Sequence, residues 1–92
     1  MSYNMSPEDR SKNVRIMILR ALDQCGGYML AENTLFVQLN IELRPPAATV
    51  EFSAALEALS ALRAVASVRP ELGGSLQWKI TAQGRAVLAE NM

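Results

Sequence analysis

The amino-acid sequence predicts a mostly helical α+β fold, in which three helices are followed by a two-stranded β-hairpin and a last helix. Three observations predict this class. Up to residue 63, apolar residues recur at the three- and four-residue spacing of a helix. At 76–80 the spacing changes to strict alternation, with Leu76, Trp78 and Ile80 separated by polar residues. The preceding segment, 70–75, is rich in turn-forming residues and can close a hairpin.

The first helix begins after residues 1–6, which we expect to form a flexible N-terminal tail. The run Ser6-Pro7-Glu8-Asp9 is typical of a helix start, because it combines a capping hydroxyl, a proline of suitable φ and two acids near the positive end of the helix dipole. Gly26-Gly27 ends the helix, since glycine adopts the left-handed conformation that follows a helix C-terminus. A length of 92 residues fits one domain, which we assign to 7–92.

One face of the first helix is apolar and is predicted to be buried. It carries Val14, Ile18, Ala21, Leu22 and Cys25, with Met17 beside them. Ile16 and Leu19 fall outside this stripe and are predicted to be exposed. On the buried face, Cys25 is expected to act as a small, inert hydrophobe. The alternative for Cys25 is a redox-sensing thiol, which would require exposure.

Two further helices are predicted before the hairpin. A short strand at 28–30 leads into a second helix at 31–40, with Leu35, Phe36 and Leu39 facing inward. The run Arg44-Pro45-Pro46 breaks this helix, because a residue that precedes proline avoids the helical conformation. The third helix extends from Pro46 or Thr49 to Arg63. Its buried face is predicted to carry Phe52, Ala55, Leu56, Leu59 and Leu62.

The hairpin is predicted to pair strands at 65–69 and 76–80. Trp78 lies on its apolar face and is expected to be a core anchor that packs on the third helix, with an interface residue as the alternative. Val68 is placed on the same side as Trp78. Thr81 is predicted to cap the last helix, which covers 82–91.

Several segments in this order carry a family resemblance. They are the Gly26-Gly27 helix end, the Arg44-Pro45-Pro46 link, the leucine-spaced third helix, the hairpin, and the run Ile80-Thr81-Ala82-Gln83-Gly84-Arg85. Together they resemble a winged helix-turn-helix domain, in which the hairpin is the wing. The last run is similar to the leucine-threonine-x-x-glycine-arginine segment that follows the wing in small bacterial regulators of the ArsR, MarR and PadR type. The resemblance covers roughly Asn13 to Glu90, and the size is also similar to that of small winged-helix proteins of Mu-like prophages.

Composition excludes several classes of function. The chain has no histidine and one cysteine, which excludes Cys/His zinc sites, His-based triads and disulfide frameworks. The carboxylates are scattered, and Gly73-Gly74 is too short for a phosphate-binding loop. We therefore expect no enzymatic activity, no cofactor and no metal. The polar start of the chain does not resemble a signal peptide, and no apolar run is long enough to span a membrane, so we expect a cytoplasmic protein.

The resemblance implies that the third helix enters the DNA major groove and that the wing contacts the backbone. Winding this helix places Ala47, Val50, Ala54, Glu57, Ala58 and Ala61 outward, with Thr49, Glu51 and Ser53 on the flanks. This face carries no cation and few groups that read bases. The candidate face for DNA or for a protein partner therefore comprises Thr49, Val50, Ser53, Ala54 and Glu57.

Three basic residues are candidates for contacts with DNA phosphates. Arg44 lies just before the third helix, and Arg69 and Lys79 flank the hairpin, on its polar side if Val68 and Trp78 face inward. The chain has nine basic and nine acidic residues, so the strongly basic surface of many nucleic-acid-binding domains is missing. Three contacts per subunit, doubled in a dimer, would give a weak electrostatic attraction.

Two functions remain open from the sequence. The first is a small DNA-binding transcriptional regulator of a bacterium or a phage, acting as a homodimer. The second is a winged-helix module that binds another protein and does not read DNA, which the small apolar face of the third helix favours. The homodimer is expected because four apolar residues are predicted to be exposed, namely Ile16, Leu19, Val50 and Ala54.

Overall fold

The computed structural model of the protein describes residues 6–70 and 72–91. Over these residues the chain forms four α-helices and one three-stranded antiparallel sheet, which confirms the predicted fold class. The elements in chain order are α1 (Pro7–Asp23), β1 (Leu30–Ala31), α2 (Glu32–Glu42), α3 (Thr49–Ala61), β2 (Val65–Val68), β3 (Gln77–Ile80) and α4 (Ala82–Glu90). Residues 1–5 of the predicted tail lie outside the described residues. Ser6 is the N-cap of α1, and its Oγ accepts a hydrogen bond from the Asp9 N–H at 3.1 Å.

The sheet has the strand order β1-β3-β2, so the predicted hairpin gains a third strand. Within the hairpin, Val65 lies opposite Ile80. On the other edge of β3, the short strand β1 pairs antiparallel and places Leu30 opposite Trp78. Trp78 and Ile80 are buried and the residues that alternate with them are exposed, as the sequence predicted. One face of the sheet therefore meets the core and the other meets solvent.

Helix α1 lies at the centre of the fold and contacts α2, α3, α4 and β3. Its fully buried residues are Val14, Ile18, Leu19 and Leu22. The prediction that Leu19 is exposed is wrong, because a single apolar stripe accounts for one packing partner whereas α1 packs against several. Ile16, also predicted to be exposed, is partly buried against the same core. These two residues therefore provide no second interaction surface.

Helix α1 ends at Asp23, so Cys25 lies in the following turn rather than on the buried face of the helix. Its Sγ donates a hydrogen bond to the Ala21 carbonyl oxygen at 3.5 Å, and the residue is only half-buried. The predicted burial of Cys25 is therefore partial. Gly26 and Gly27 follow with φ of +62° and +97°, in the left-handed region that glycine tolerates, as expected for the end of this helix.

The turn between α2 and α3 is closed by the side chain of Asn40. Its Nδ2 donates to the Ala47 carbonyl oxygen at 3.3 Å, and its Oδ1 accepts from the Ala47 N–H at 2.8 Å. Ala47 is 5% exposed, so its predicted outward position is wrong: it precedes α3 and bonds Asn40. At the other end of α3, Leu62 is 55% exposed rather than buried, because the helix ends at Ala61. The confirmed buried residues of α3 are Phe52, Ala55, Leu56 and Leu59.

Trp78 is buried, as predicted, and the strand that carries it lies mainly against helices other than α3. Strand β3 has its main helix contacts with α1 and α4 rather than with α3. The indole N–H of Trp78 donates to Glu32 Oε1 at 3.0 Å, at the start of α2. A buried indole N–H requires an acceptor, and Glu32 supplies it. This hydrogen bond ties the central strand of the sheet to α2.

The start of α4, at Thr81 and Gly84, packs against the turn between α3 and β2 and is hydrogen-bonded to it. The Thr81 Oγ1 accepts a hydrogen bond from the Gly84 N–H at 3.0 Å, which confirms Thr81 as the helix cap. The same hydroxyl donates to the Arg63 carbonyl oxygen at 2.6 Å. The Thr81 N–H donates to the Ala64 carbonyl oxygen at 3.0 Å. The threonine-x-x-glycine part of the segment after the wing therefore has a structural role here.

Candidate nucleic-acid interface

The exposed face of α3 carries the candidate residues that the sequence placed on it. Five candidate positions are exposed, namely Thr49, Val50, Ser53, Ala54 and Glu57. Val50 has 80% of its surface exposed. The face offers two hydroxyls that can bond phosphates or base edges, and methyl groups that can contact a thymine methyl. It offers no cation.

The N-terminus of α3 has no side-chain cap. Ala48 occupies the N-cap position and supplies no capping side chain, while the Ala48 backbone is among the groups that lower the pKa of the Glu51 carboxyl. The first N–H groups of a helix lack intrahelical acceptors and lie at the positive end of its dipole, so they attract anions such as phosphate. Thr49 and Val50, the first two residues of α3, are exposed. The start of α3 is therefore suited to a contact with a phosphate.

Glu51, in the first turn of α3, is paired with Arg10 of α1. Arg10 Nε lies 2.7 Å from Glu51 Oε2, and Arg10 Nη2 lies 3.0 Å from Oε1. The same Nη2 donates to the Pro45 carbonyl oxygen at 2.7 Å. The hydrogen bond from Arg10 holds the pKa of Glu51 below its ordinary value, and the reciprocal bond raises the pKa of Arg10. At neutral pH the two side chains together carry no net charge beside α3.

Arg44 lies just before α3, as the sequence shows, but its side chain bonds the end of α2. Its Nη1 donates to the carbonyl oxygens of Asn40 and Leu43, each at 2.9 Å. A cation at a helix C-terminus is favourable, because it satisfies unpaired carbonyls and meets the negative end of the dipole. Arg44 therefore caps α2, and its other guanidinium N–H groups are the ones that could meet a phosphate. That contact stays a prediction.

Lys79 is exposed on the solvent face of β3. Val68, which the sequence placed on the buried side, lies opposite Gln77 on this solvent face and is 49% exposed. The prediction for Val68 is wrong because β2 starts on the buried side with Val65, and alternation then turns the residue three positions later outward. Arg69 follows the end of β2 and is exposed. The sequence placed Arg69 beside Lys79 on one polar face on the condition that Val68 faces inward, and this condition is not met.

Arg63 is an exposed cation that the sequence reasoning did not single out. It follows the end of α3 with φ of +59°, a left-handed conformation that is uncommon outside glycine. Within 6–70 and 72–91, none of Arg63, Arg69 and Lys79 forms an ion pair. The sequence could not mark Arg63, because its position depends on the residue at which α3 stops. These three side chains are the cations of the α3 end and the wing that can meet an anionic partner.

A groove runs between α1 and the first half of α3. Its walls include Val50 and Ala54 on one side and Ser11 and Arg15 on the other. Apolar and small side chains line most of it, which suits a protein side chain better than a phosphate. The groove is the feature that favours the alternative of a protein partner.

Within residues 6–70 and 72–91, two kinds of feature are absent. No described helix is long and apolar enough to cross a membrane. No group of three or more histidine, cysteine, aspartate and glutamate side chains lies together in this part of the chain.

The fold is similar to that in the crystal structure of a transcriptional regulator of the MarR family from Silicibacter pomeroyi, with a TM-score of 0.67 and 22% sequence identity. The match covers 84% of this chain and 47% of the regulator, so this chain spans about half the length of that protein. No family model and no curated protein sequence matches the chain. The likeness shows that the chain has a winged-helix fold, as the resemblance implied. It gives no support to the narrower resemblance to proteins of Mu-like prophages.

Proposed function

We propose that this winged-helix chain binds double-stranded DNA and acts in transcriptional regulation in the cytoplasm of a bacterium, encoded by the host or by a phage. The observation that carries the proposal is the exposed start of α3. There the hydroxyls of Thr49 and Ser53 and the uncapped helix terminus meet solvent, while the nearest acid, Glu51, is neutralised by Arg10. The structural neighbour is a transcriptional regulator, which supports the same function.

The proposed contacts are mainly with phosphates. Lys79 and Arg69, two of the candidates from the sequence, and Arg63 supply positive charge, while Arg44 contributes with the N–H groups that α2 does not use. Such contacts position a protein on the duplex and carry no sequence information. Val50 is the residue of α3 most suited to a base contact, through a thymine methyl group. We therefore expect weak sequence preference and strong dependence on salt.

A homodimer is part of the proposal, because two copies double the number of phosphate contacts. The exposed apolar surface for a dimer contact differs from the one that the sequence suggested, because Leu19 is fully buried. Helix α2 instead exposes Val37 and Ile41, one helical turn apart, with 60% and 64% of their surfaces open. We place the contact between copies on this face of α2, which leaves α3 free for DNA.

The alternative function is a module that binds another protein. The groove between α1 and α3 favours it, because Val50 and Ala54 add exposed apolar surface at its edge. In that case the candidate face of α3 would be covered by the partner, and DNA would not bind.

A salt-dependent titration distinguishes the two functions. Fluorescence anisotropy of a labelled mixed-sequence duplex is measured at ~50 and ~200 mM salt, where phosphate contacts are strong and weak respectively. Binding at the lower concentration that fades steeply at the higher one supports the DNA-binding proposal. If no duplex is bound at the lower concentration, the proposal is wrong and the groove becomes the surface to study.

A further inference from the structure

We propose that Arg10 is a positioning residue for the DNA-binding face: it fixes the start of α3 and cancels the charge of Glu51 there. This inference rests on the proposed function. Arg10 belongs to α1, which is otherwise a core helix, and nothing in its local sequence sets it apart from the other cations of the helix. Its role follows from three contacts that cross the fold.

The guanidinium of Arg10 meets both oxygens of Glu51, at 2.7 and 3.0 Å, and the Pro45 carbonyl oxygen at 2.7 Å. It therefore joins α1, the loop before α3 and the first turn of α3 in one contact. Guanidinium and carboxylate are both planar, and a two-point contact fixes their relative orientation as well as their distance. Asn40 fixes the same loop from the other side through Ala47.

Glu51 lies in the turn of α3 that begins with the exposed residues Thr49 and Val50. A bare carboxylate in this turn would repel a phosphate that approaches the helix terminus, because unit charges within a Debye length of about 10 Å interact at moderate salt. The paired side chains are 19% and 29% exposed, so water screens them only in part. Arg10 therefore turns an acidic helix start into a neutral one.

A second ion pair of the fold provides a matched control. Arg85 of α4 lies 3.4 Å from Asp23, at the opposite end of α1 from Arg10. Arg10 and Asp23 are 13 positions apart, which corresponds to about 20 Å along the helix. Replacing Arg85 removes the same charge and also breaks an ion pair, but at the end of α1 that lies away from Arg10 and from the first turn of α3.

The experiment is a double-mutant cycle on the full chain. Affinity for a mixed-sequence duplex is measured at ~50 and ~200 mM salt for the wild type, Arg10→Met, Glu51→Gln, the double variant and Arg85→Met. Thermal melts establish that each variant is folded at the assay temperature. We expect Arg10→Met to weaken binding roughly three- to tenfold at the lower salt, with a smaller effect at the higher one. Glu51→Gln should strengthen binding, and the double variant should return to within about twofold of the wild type.

Each outcome decides the inference. Loss of affinity in all three Arg10 and Glu51 variants would assign the pair a purely structural role and overturn the charge cancellation. Equal losses in Arg10→Met and Arg85→Met would show that only net charge matters, and would also overturn it. Glu51→Gln keeps the inference testable if Arg10→Met does not fold, since an unchanged or lower affinity of this conservative variant contradicts it. If the wild type binds no duplex, the proposed function fails and this inference fails with it.

Discussion

Gly84 of α4 lies directly against the carbonyl oxygen of Ala64, so that a Cβ on Gly84 would overlap this oxygen. The same Cβ would approach Ile80 Cγ1 to 2.7 Å. The glycine is therefore required by the close packing of two backbone segments, at the point where Thr81 caps α4.

We expect Gly84→Ala to lower the free energy of unfolding by about 3 kcal/mol or more, because the overlapping atom belongs to the backbone and cannot move aside. Chemical denaturation of the two proteins measures this difference. Gln83→Ala, at the neighbouring exposed position of α4, is the control and should change stability by less than about 0.5 kcal/mol. Equal stability of Gly84→Ala and the wild type would mean that α4 sits farther from the turn after α3 than it does here.

Trp78 provides a spectroscopic test of the sheet. It is the one tryptophan of the chain and is 7% exposed, so its fluorescence should be blue-shifted in the folded protein and shift to the red on unfolding. Trp78→Ala should cost about 3 to 5 kcal/mol, because it removes a large buried side chain. Trp78→Phe should destabilise the fold less than Trp78→Ala does, because it keeps most of the apolar volume. Its remaining cost includes the hydrogen bond to Glu32, which loses its donor. An emission spectrum of a fully hydrated indole in the native state would contradict the placement of β3.

The ion pair of Glu51 and Arg10 should make the stability of the fold depend on pH in the acidic range. The pKa of Glu51 is lowered in the folded protein, so its contribution is present above the ordinary value of 4.5 and is lost as pH falls through the folded pKa. Melting temperatures of the wild type and Glu51→Gln should therefore differ most near neutral pH and converge in acid below that value. Melts across this pH range measure the difference, and a constant gap at all pH values would contradict the assignment.

Lys79 should contribute to DNA affinity without contributing to specificity. Lys79→Ala should weaken binding to all duplexes alike and reduce the slope of log affinity against log salt by about 0.9 per site, or twice that in a symmetric dimer. Arg20→Ala is the matched control, because Arg20 is an exposed cation in the last turn of α1. Val50→Ala should change the affinity for most duplexes little, or change it only for duplexes that carry a thymine at the contacted position. Sharp discrimination of one duplex that survives Lys79→Ala would mean that α3 reads bases directly.

The protein should be a homodimer at high micromolar concentration, as light scattering can measure. Ile41→Glu should shift it to monomer, because it puts a charge into the exposed apolar face of α2. Leu72→Glu is a control at another fully exposed apolar position, in the loop between β2 and β3. A monomer in the wild type would remove the dimer from the proposed function.

The features that the sequence predicted correctly are local. Ser6 and Thr81 each bond an N–H three positions ahead, so the capping pattern is visible in four consecutive residues. The alternation around Trp78 needs only a five-residue window. These interactions are determined by spacing along the chain, and the fold class follows from their order.

The features that the sequence did not predict depend on distant partners. Arg10 and Glu51 are 41 positions apart, and Trp78 and Glu32 are 46 apart, so no local pattern joins either pair. Leu19 was misassigned for a related reason, since its burial depends on how many elements surround α1. The candidate face of α3 was visible in the sequence, but the compensation of the Glu51 charge by Arg10 and the use of Arg44 as a cap could only come from the assembled fold.

Asn40 presents one donor and one acceptor to the two backbone groups of a single residue, Ala47. Among the twenty side chains only a short amide has this pairing at this length: aspartate lacks the donor, leucine lacks both, and glutamine places them one carbon farther away. We therefore expect few substitutions to be accepted at position 40 during evolution. A descendant that loses the asparagine should carry a redesigned turn ahead of α3 as well, so the two changes would be inherited together.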